Sequence, residues 1–187
     1  RHRWDELFME NVRVPSRYII GEENRGWYAA MTTLSFERSG IQRPARLTKL
    51  LEDYIEFNRA NVRRHGPSAG PLGSMTFKNR LAELRIQVET LRMLAYRVAW
   101  MQSQGMVPQR ESSMTKFLGD ETAKAVYHTL YSALGEYGNL LPGNDIPLPE
   151  GGYLNAQAFM VGTMSVAGGT TEIQKGIIAQ RELGLPR

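Results

Sequence analysis

Apolar residues recur along most of this chain at spacings of three and four, the period that gathers side chains on one face of an α-helix. The clearest run is Leu81, Leu84, Val88, Leu91, Ala95, Val98 and Met101, a strict three-four alternation that predicts a helix packed nearly antiparallel to its neighbours. Gln104-Gly105 closes it. A second run, with Met114, Phe117, Leu118, Ala125, Val126, Thr129, Leu130, Ala133 and Leu134, predicts another helix ending at Gly135-Glu136-Tyr137-Gly138. Upstream, Ala30, Met31, Leu34, Ile41, Ala45, Leu51, Ile55 and Val62 fit one long helix that starts at Trp27 and kinks at Pro44. Gly and Pro make loops of His65 to Ser74 and of Pro142 to Gly152. A shorter helix over roughly Leu154 to Ser165 and a capped terminal helix complete the chain.

Before the first helix, Leu7 to Pro15 alternates like a short strand and stops at the proline, and Gly21 to Trp27 reads as a turn. The fold expected is therefore all-α, an up-down bundle of four to five helices over residues 25–187, with a short strand-like segment within residues 1–24 ahead of it. The apolar stripes are the core of that bundle.

Composition narrows the chemistry. A chain of 187 residues with 42% apolar and 22% charged content suits one globular domain. It holds no apolar run near the ~20 residues of a membrane span, and Arg1-His2-Arg3-Trp4-Asp5 does not resemble a signal peptide, so a cytoplasmic location is expected. Zero cysteines exclude disulfides and thiolate catalysis, and three scattered histidines (His2, His65, His128) offer no metal cluster. The net charge of +4 is spread among acids instead of forming a basic tract, which argues against nucleic acid. Such a charge suits a polyanionic small molecule, or simply a solvated surface.

The stretch richest in chemistry is Ala167-Gly168-Gly169-Thr170-Thr171-Glu172-Ile173-Gln174, continued by Ile177-Ile178-Ala179-Gln180-Arg181 and Leu183-Gly184-Leu185-Pro186-Arg187. A glycine pair meets a helix start whose Thr171-x-x-Gln174 spacing fits a capping box, so backbone N–H groups face outward beside small residues. Capping alone explains these residues, and so does a polar or anionic ligand.

This ending resembles the terminal signature of the acyl-CoA dehydrogenases, flavoenzymes that desaturate acyl-CoA thioesters. Phe8-x-x-Asn11-Val12-Arg13-Val14-Pro15 with Gly21-x-x-Asn24-x-Gly26-Trp27 is similar to the family's exit from its middle β-domain. The resemblance covers essentially the whole chain. It implies that residues 1–24 are the tail of a preceding β-domain and linker, that residues 25–187 are the C-terminal helical domain, and that the chain alone is inactive. It also implies FAD as cofactor, an acyl-CoA substrate, an electron-transfer flavoprotein as acceptor, and assembly as a homo-dimer, a homo-tetramer or a heteromer with a related subunit.

Removing an α-proton from a thioester needs a base, normally a carboxylate, while the β-hydrogen leaves as hydride to the flavin. In many family members a glutamate immediately precedes the Gly-Thr of the signature, where this chain has Gly168. A second family solution puts the glutamate on the first long helix, in a segment resembling Leu34-Ser35-Phe36-Glu37-Arg38. The resemblance thus makes Glu37 the base, sets Arg38 near the substrate, and leaves Gly168 to polarise the thioester carbonyl through its N–H. Helical spacing independently puts Glu37, three residues after Leu34 and four before Ile41, on the core-facing stripe, where an acid is either paired or functional, and an intrahelical salt bridge or an edge-facing glutamate fits the same spacing.

Other flavin positions match in part. Thr170 and Glu172 stand where the family contacts flavin, although glutamine is more usual at Glu172, which also suits the first turn of a helix through its dipole. Arg63-Arg64-His65-Gly66 keeps the arginine of a motif that grips a neighbouring subunit's flavin but lacks its phenylalanine. Ser132-Ala133-Leu134-Gly135-Glu136-Tyr137-Gly138 resembles Gln-Ile-Leu-Gly-Gly-Asn-Gly, with Ser132 and Glu136 as departures and Gly135 kept. Two further readings stay open: a non-catalytic partner subunit of a heteromeric dehydrogenase, and an oxidase or monooxygenase on the same scaffold.

Overall fold

The chain folds, in a computed structural model that describes residues 5–37, 40–66, 70–143 and 145–186, around a bundle of α-helices. In order they are α1 (Gly26–Glu37), α2 (Gln42–His65), α3 (Met75–Ser103), α4 (Gln109–Ser132), α5 (Tyr153–Met164) and α6 (Thr171–Ile177). Among the described residues there is no strand, and no helix is long and apolar enough to cross a membrane.

The core follows the periodicity. The α3 residues Leu81, Leu84, Val88, Leu91, Ala95 and Val98 are all buried, and those up to Leu91 join Leu47, Leu50, Leu51 and Tyr54 of α2, Val126 and Leu130 of α4, and Leu154 of α5 in one cluster. Helix α4 is the axis of the bundle, because it packs against α1, α2, α3, α5 and α6. Its buried face runs Ser113, Lys116, Asp120, Ala123, Tyr127 and Leu130, a three-four alternation whose first half is polar and which Leu134 continues just beyond the helix.

The structure departs from the sequence expectations at three places. The single helix expected from Trp27 to Val62 is two helices, α1 and α2. Gly40 takes φ +56°, outside the helical range, and Pro44 falls in the first turn of α2, where a missing N–H interrupts no helical hydrogen bond. The restart turns α2 so that Pro44, Leu47, Leu50, Leu51, Tyr54 and Asn58 face the core while Ala45 is exposed. The strand expected before Pro15 does not form. Residues 5–15 are exposed, and a strand needs a neighbour for its backbone hydrogen bonds. The terminal helix is capped one residue earlier than the capping-box spacing predicts: the Thr170 hydroxyl accepts from Ile173 N–H at 3.4 Å. Thr171 instead donates to Glu121 at 3.2 Å.

Glu111, in the first turn of α4, is buried but accepts from Arg110 at 2.9 Å and from Arg97 at 3.3 Å. Burial pushes its carboxyl up, and the two guanidinium groups with its own backbone N–H outweigh that, holding it below the ordinary 4.5. A depressed carboxylate stabilises the fold above the unfolded value, and that contribution is lost as pH falls through the folded one. Glu111→Gln is therefore expected to lower the thermal midpoint at neutral pH, with the gap to the parent protein narrowing below pH 4.5 in parallel melts. An unchanging gap would mean that the ion pairs contribute nothing.

Candidate active site

Glu37 is the last residue of α1, and its carboxylate reaches across to the loop between α5 and α6. A Cβ built on Gly168 would lie 3.5 Å from Glu37 Oε2 and 3.3 Å from Lys116 Cε. The carboxylate and the lysine stem therefore flank one point of the glycine loop. Gly168 itself has φ +73°, a conformation that residues with side chains rarely adopt. The missing side chain at this position thus serves both the backbone angle and the space beside the carboxylate.

Glu37 does not face a packed core, as its helical position had predicted, but is exposed in the single chain. The break after α1 accounts for this, because α1 no longer shares the stripe of α2 and packs chiefly along α4. Arg38 lies outside the described residues.

The loop is held from both sides. Gln174, fully buried, donates through Nε2 to Gly168 O at 3.0 Å and to Gly169 O at 3.2 Å. It anchors the glycine carbonyls instead of reaching back to the helix cap. From below, Lys116 Nζ donates to Ser165 O at 3.2 Å and pairs with Asp120 one turn along α4. Asp120 also accepts from Arg43 Nη1 of α2 at 2.6 Å. Lys116 and Asp120 are 7% and 3% exposed, so both charges are taken out of water and each relies on the other. Removing one partner of such a pair costs about 3–5 kcal/mol. Gly119 makes the crossing possible, since a Cβ there would sit 2.9 Å from Arg43 Nη1.

Thr170 and Glu172 follow directly at the start of α6. Glu172 is exposed, and its own backbone N–H, the Thr170 hydroxyl and the Lys175 charge hold its carboxyl below the ordinary range. It is an anion at neutral pH.

The remaining sequence candidates lie elsewhere. Ser132 ends α4, sixteen residues beyond Lys116, which at 1.5 Å per residue is about 24 Å along the helix. Gly135 and the exposed Glu136 sit in the 3-10 turn that follows. Arg63, exposed in the last turn of α2, pairs with Glu56 and borders a cleft that it shares with Arg59, Lys78, Val62, Leu72 and Gly73. A cavity of about 450 Å³ walled by Tyr54, Phe57, Asn58, His65, Leu134 and Leu148 is at this same end. Two groups of residues therefore occupy opposite ends of the bundle.

Residues 24–183 match the family model of the acyl-CoA dehydrogenase C-terminal domain. The chain belongs to the acyl-CoA dehydrogenase family. Its sequence is 27% identical to acyl-CoA dehydrogenase FadE34 of Mycobacterium tuberculosis over 98% of this chain and 23% of that protein. Its fold is similar to that of the Tcur3481-Tcur3483 steroid ACAD, with TM-score 0.80 and 26% identity over 96% of this chain and 45% of that one. A chain of the ChsE4-ChsE5 complex from Mycobacterium tuberculosis is similar at TM-score 0.73 and 27% identity, again over 96% of this chain and 45% of that one. The chain thus spans less than half the length of the acyl-CoA dehydrogenases it matches, and the family's general reaction is FAD-dependent desaturation.

Within this family member, the site residues that the sequence patterns did not single out are Lys116, Asp120 and Arg43, while Gln174, read as a capping-box partner, holds the glycine loop instead. A signal for two of them is present: Lys116 and Asp120 occupy consecutive positions of the buried alternation on α4, where charged residues are almost never found unless paired. No local pattern marks Arg43.

Proposed function

We propose that this chain is the helical-bundle part of an acyl-CoA dehydrogenase in which Glu37 abstracts the α-proton of an acyl-CoA thioester. The approach of its carboxylate to Gly168, 3.5 Å from the position of a Cβ, is the observation that carries this reading. A glutamate on the loop and a glutamate on α1 would aim at the same point, and this chain supplies the second. The thioester is proposed to lie beside this point, with its α-carbon toward the Glu37 carboxylate and its carbonyl oxygen toward the loop backbone at Gly168, where a positioned donor stabilises the developing enolate. Arg38, next in sequence to Glu37, is proposed to lie near the substrate.

FAD, when bound, takes up the β-hydrogen with its electron pair. Thr170 is proposed to meet one end of such a group at the start of α6, its hydroxyl exchanging its donation to Glu172 for one to the flavin while it goes on accepting from Ile173 N–H. The cationic cleft of Arg63, Arg59 and Lys78 fits phosphates. With about 24 Å of α4 between these elements, the two groups are proposed to serve two different flavins, as expected where each subunit of an oligomer completes its neighbour's site. Ser132, Gly135 and Glu136 belong to the second group. Glu172 and Glu136, both exposed carboxylates, would repel a pyrophosphate, so they are placed at the edge of the flavin contact. Electrons are proposed to pass on to an electron-transfer flavoprotein.

Assembly is part of the proposal. Helix α3 leaves Ile86, Met93, Tyr96 and Trp100 exposed at 66%, 62%, 47% and 58%, an apolar face suited to a second copy or a related subunit. In the heteromeric alternative this chain contributes surface without the base. The test is to purify the full-length protein with its flavin and any partner, and to incubate it in D2O with butyryl-CoA, octanoyl-CoA, palmitoyl-CoA and a steroid side-chain CoA ester. Exchange of the α-proton and formation of the 2-enoyl product on at least one are expected. No exchange on any of them would overturn the reading, and oxygen consumption without another acceptor would move it to an oxidase.

A further inference from the structure

A single buried carboxylate ties together the two backbone segments between which the proposed reaction takes place. Glu37 ends α1, and six residues on, Arg43 lies in the first turn of α2, its N–H bonded to Gly40 O at 3.0 Å. Its guanidinium crosses over Gly119 to reach Asp120 at 2.6 Å. On the other side Asp120 holds Lys116, whose ammonium donates to Ser165 O at 3.2 Å and whose Cε lies against Gly168. Asp120 therefore has one cation on the Glu37 side and one on the Gly168 side. Its two oxygens are divided between them, Oδ1 to Arg43 and Oδ2 to Lys116.

From this arrangement we infer that Asp120 is a positioning residue: through Arg43 and Lys116 it sets the spacing between the Glu37 carboxylate and the Gly168 loop, and so the width of the slot that takes the thioester. The inference rests on the desaturase reading above. The two cations reach Asp120 from different elements, Arg43 from α2 and Lys116 from α4 beneath the Gly168 loop. Buried charge is also a costly way to join helices that already share an apolar core, and an apolar replacement of such a group often stabilises the fold. The geometry of the link explains its retention. A displacement of about 1 Å in a reacting group can lower a rate by about a hundredfold. Neither Asp120 nor Lys116 needs to touch the substrate for this.

The test uses the full-length flavin-loaded protein, the CoA ester it turns over fastest, and three variants: Asp120→Asn, Arg43→Met and Glu37→Gln. Asp120→Asn is expected to lower both kcat and the rate of α-proton exchange in D2O roughly 10- to 100-fold with KM changed less than about threefold. Arg43→Met should move both rates in the same direction, and the double variant should be no slower than Asp120→Asn alone, because both substitutions open one linkage. Should Asp120→Asn fail to fold, Arg43→Met carries the test, since the Arg43 side chain is 33% exposed and its loss leaves the Lys116 pair intact. Wild-type kcat and exchange in both Arg43→Met and a folded Asp120→Asn, with Glu37→Gln inactive, would overturn the positioning role and leave the desaturase reading standing. Full turnover by Glu37→Gln would overturn the desaturase assignment itself, and the positioning role with it.

Discussion

Glu37→Gln in the assembled full-length protein is expected to lower kcat for acyl-CoA desaturation by about 10³-fold, within the roughly 10²- to 10⁴-fold range of a positioned general base. Glutamine keeps the length and shape of the side chain, so the slot beside Gly168 stays the same width and KM should change little. What disappears is the basicity of the carboxylate, since an amide oxygen keeps its lone pairs but does not hold a proton near neutral pH. Exchange of the α-proton with solvent should fall with kcat, because both depend on the same abstraction. Glu37→Asp gives an intermediate result: the carboxylate survives but is withdrawn by one methylene from the point 3.5 Å away that it now approaches, and about 1 Å of misplacement can cost about a hundredfold. Turnover by Glu37→Gln within a few-fold of the parent would remove Glu37 from the chemistry and favour a subunit that contributes only surface.

The second large effect is on stability. Leu84→Ala removes a side chain that is 0% exposed in the middle of α3, where it belongs to the same cluster as Leu50, Tyr54 and Val126. Helices on several sides hold the gap open, so the loss combines the transfer of the missing methyl groups with the cavity left behind, about 2–5 kcal/mol. For a domain of this size that corresponds to a fall in thermal midpoint of roughly 4–20 °C. Leu84→Met conserves volume and should cost less than about 1.5 kcal/mol. Parallel melts of the two variants check the packing directly, and equal midpoints would show that Leu84 is not enclosed.

The helices were legible because a single physical rule generates their pattern. Burial on one side selects apolar residues every three or four positions, and the α3 stripe from Leu81 to Val98 is buried to the last residue. The break between α1 and α2 was less legible. Pro44 was visible, but a proline is equally at home in the first turn of a new helix and at a kink in an old one, and only the φ +56° of Gly40 separates the two. The extended segment before Pro15 fails as a strand for a related reason, since alternation states a preference that only a pairing neighbour can satisfy.

For the candidate site, the sequence by itself determined the kinds of group present and the family to which they belong: the glycine pair, the threonine cap and a carboxylate at position 37 are local features that survive any arrangement of the rest. Tertiary structure alone decided that Glu37 and Gly168, 131 positions apart, come within a few ångströms of each other, and that Arg63 and Gly135 do not join them. It decided also that Lys116, Asp120 and Arg43 underlie the loop. The reason is the short range of the forces that write local sequence patterns. Helical periodicity records which side of each segment avoids water, whereas the meeting of two distant side chains depends on how whole helices rotate and cross when their stripes are packed together.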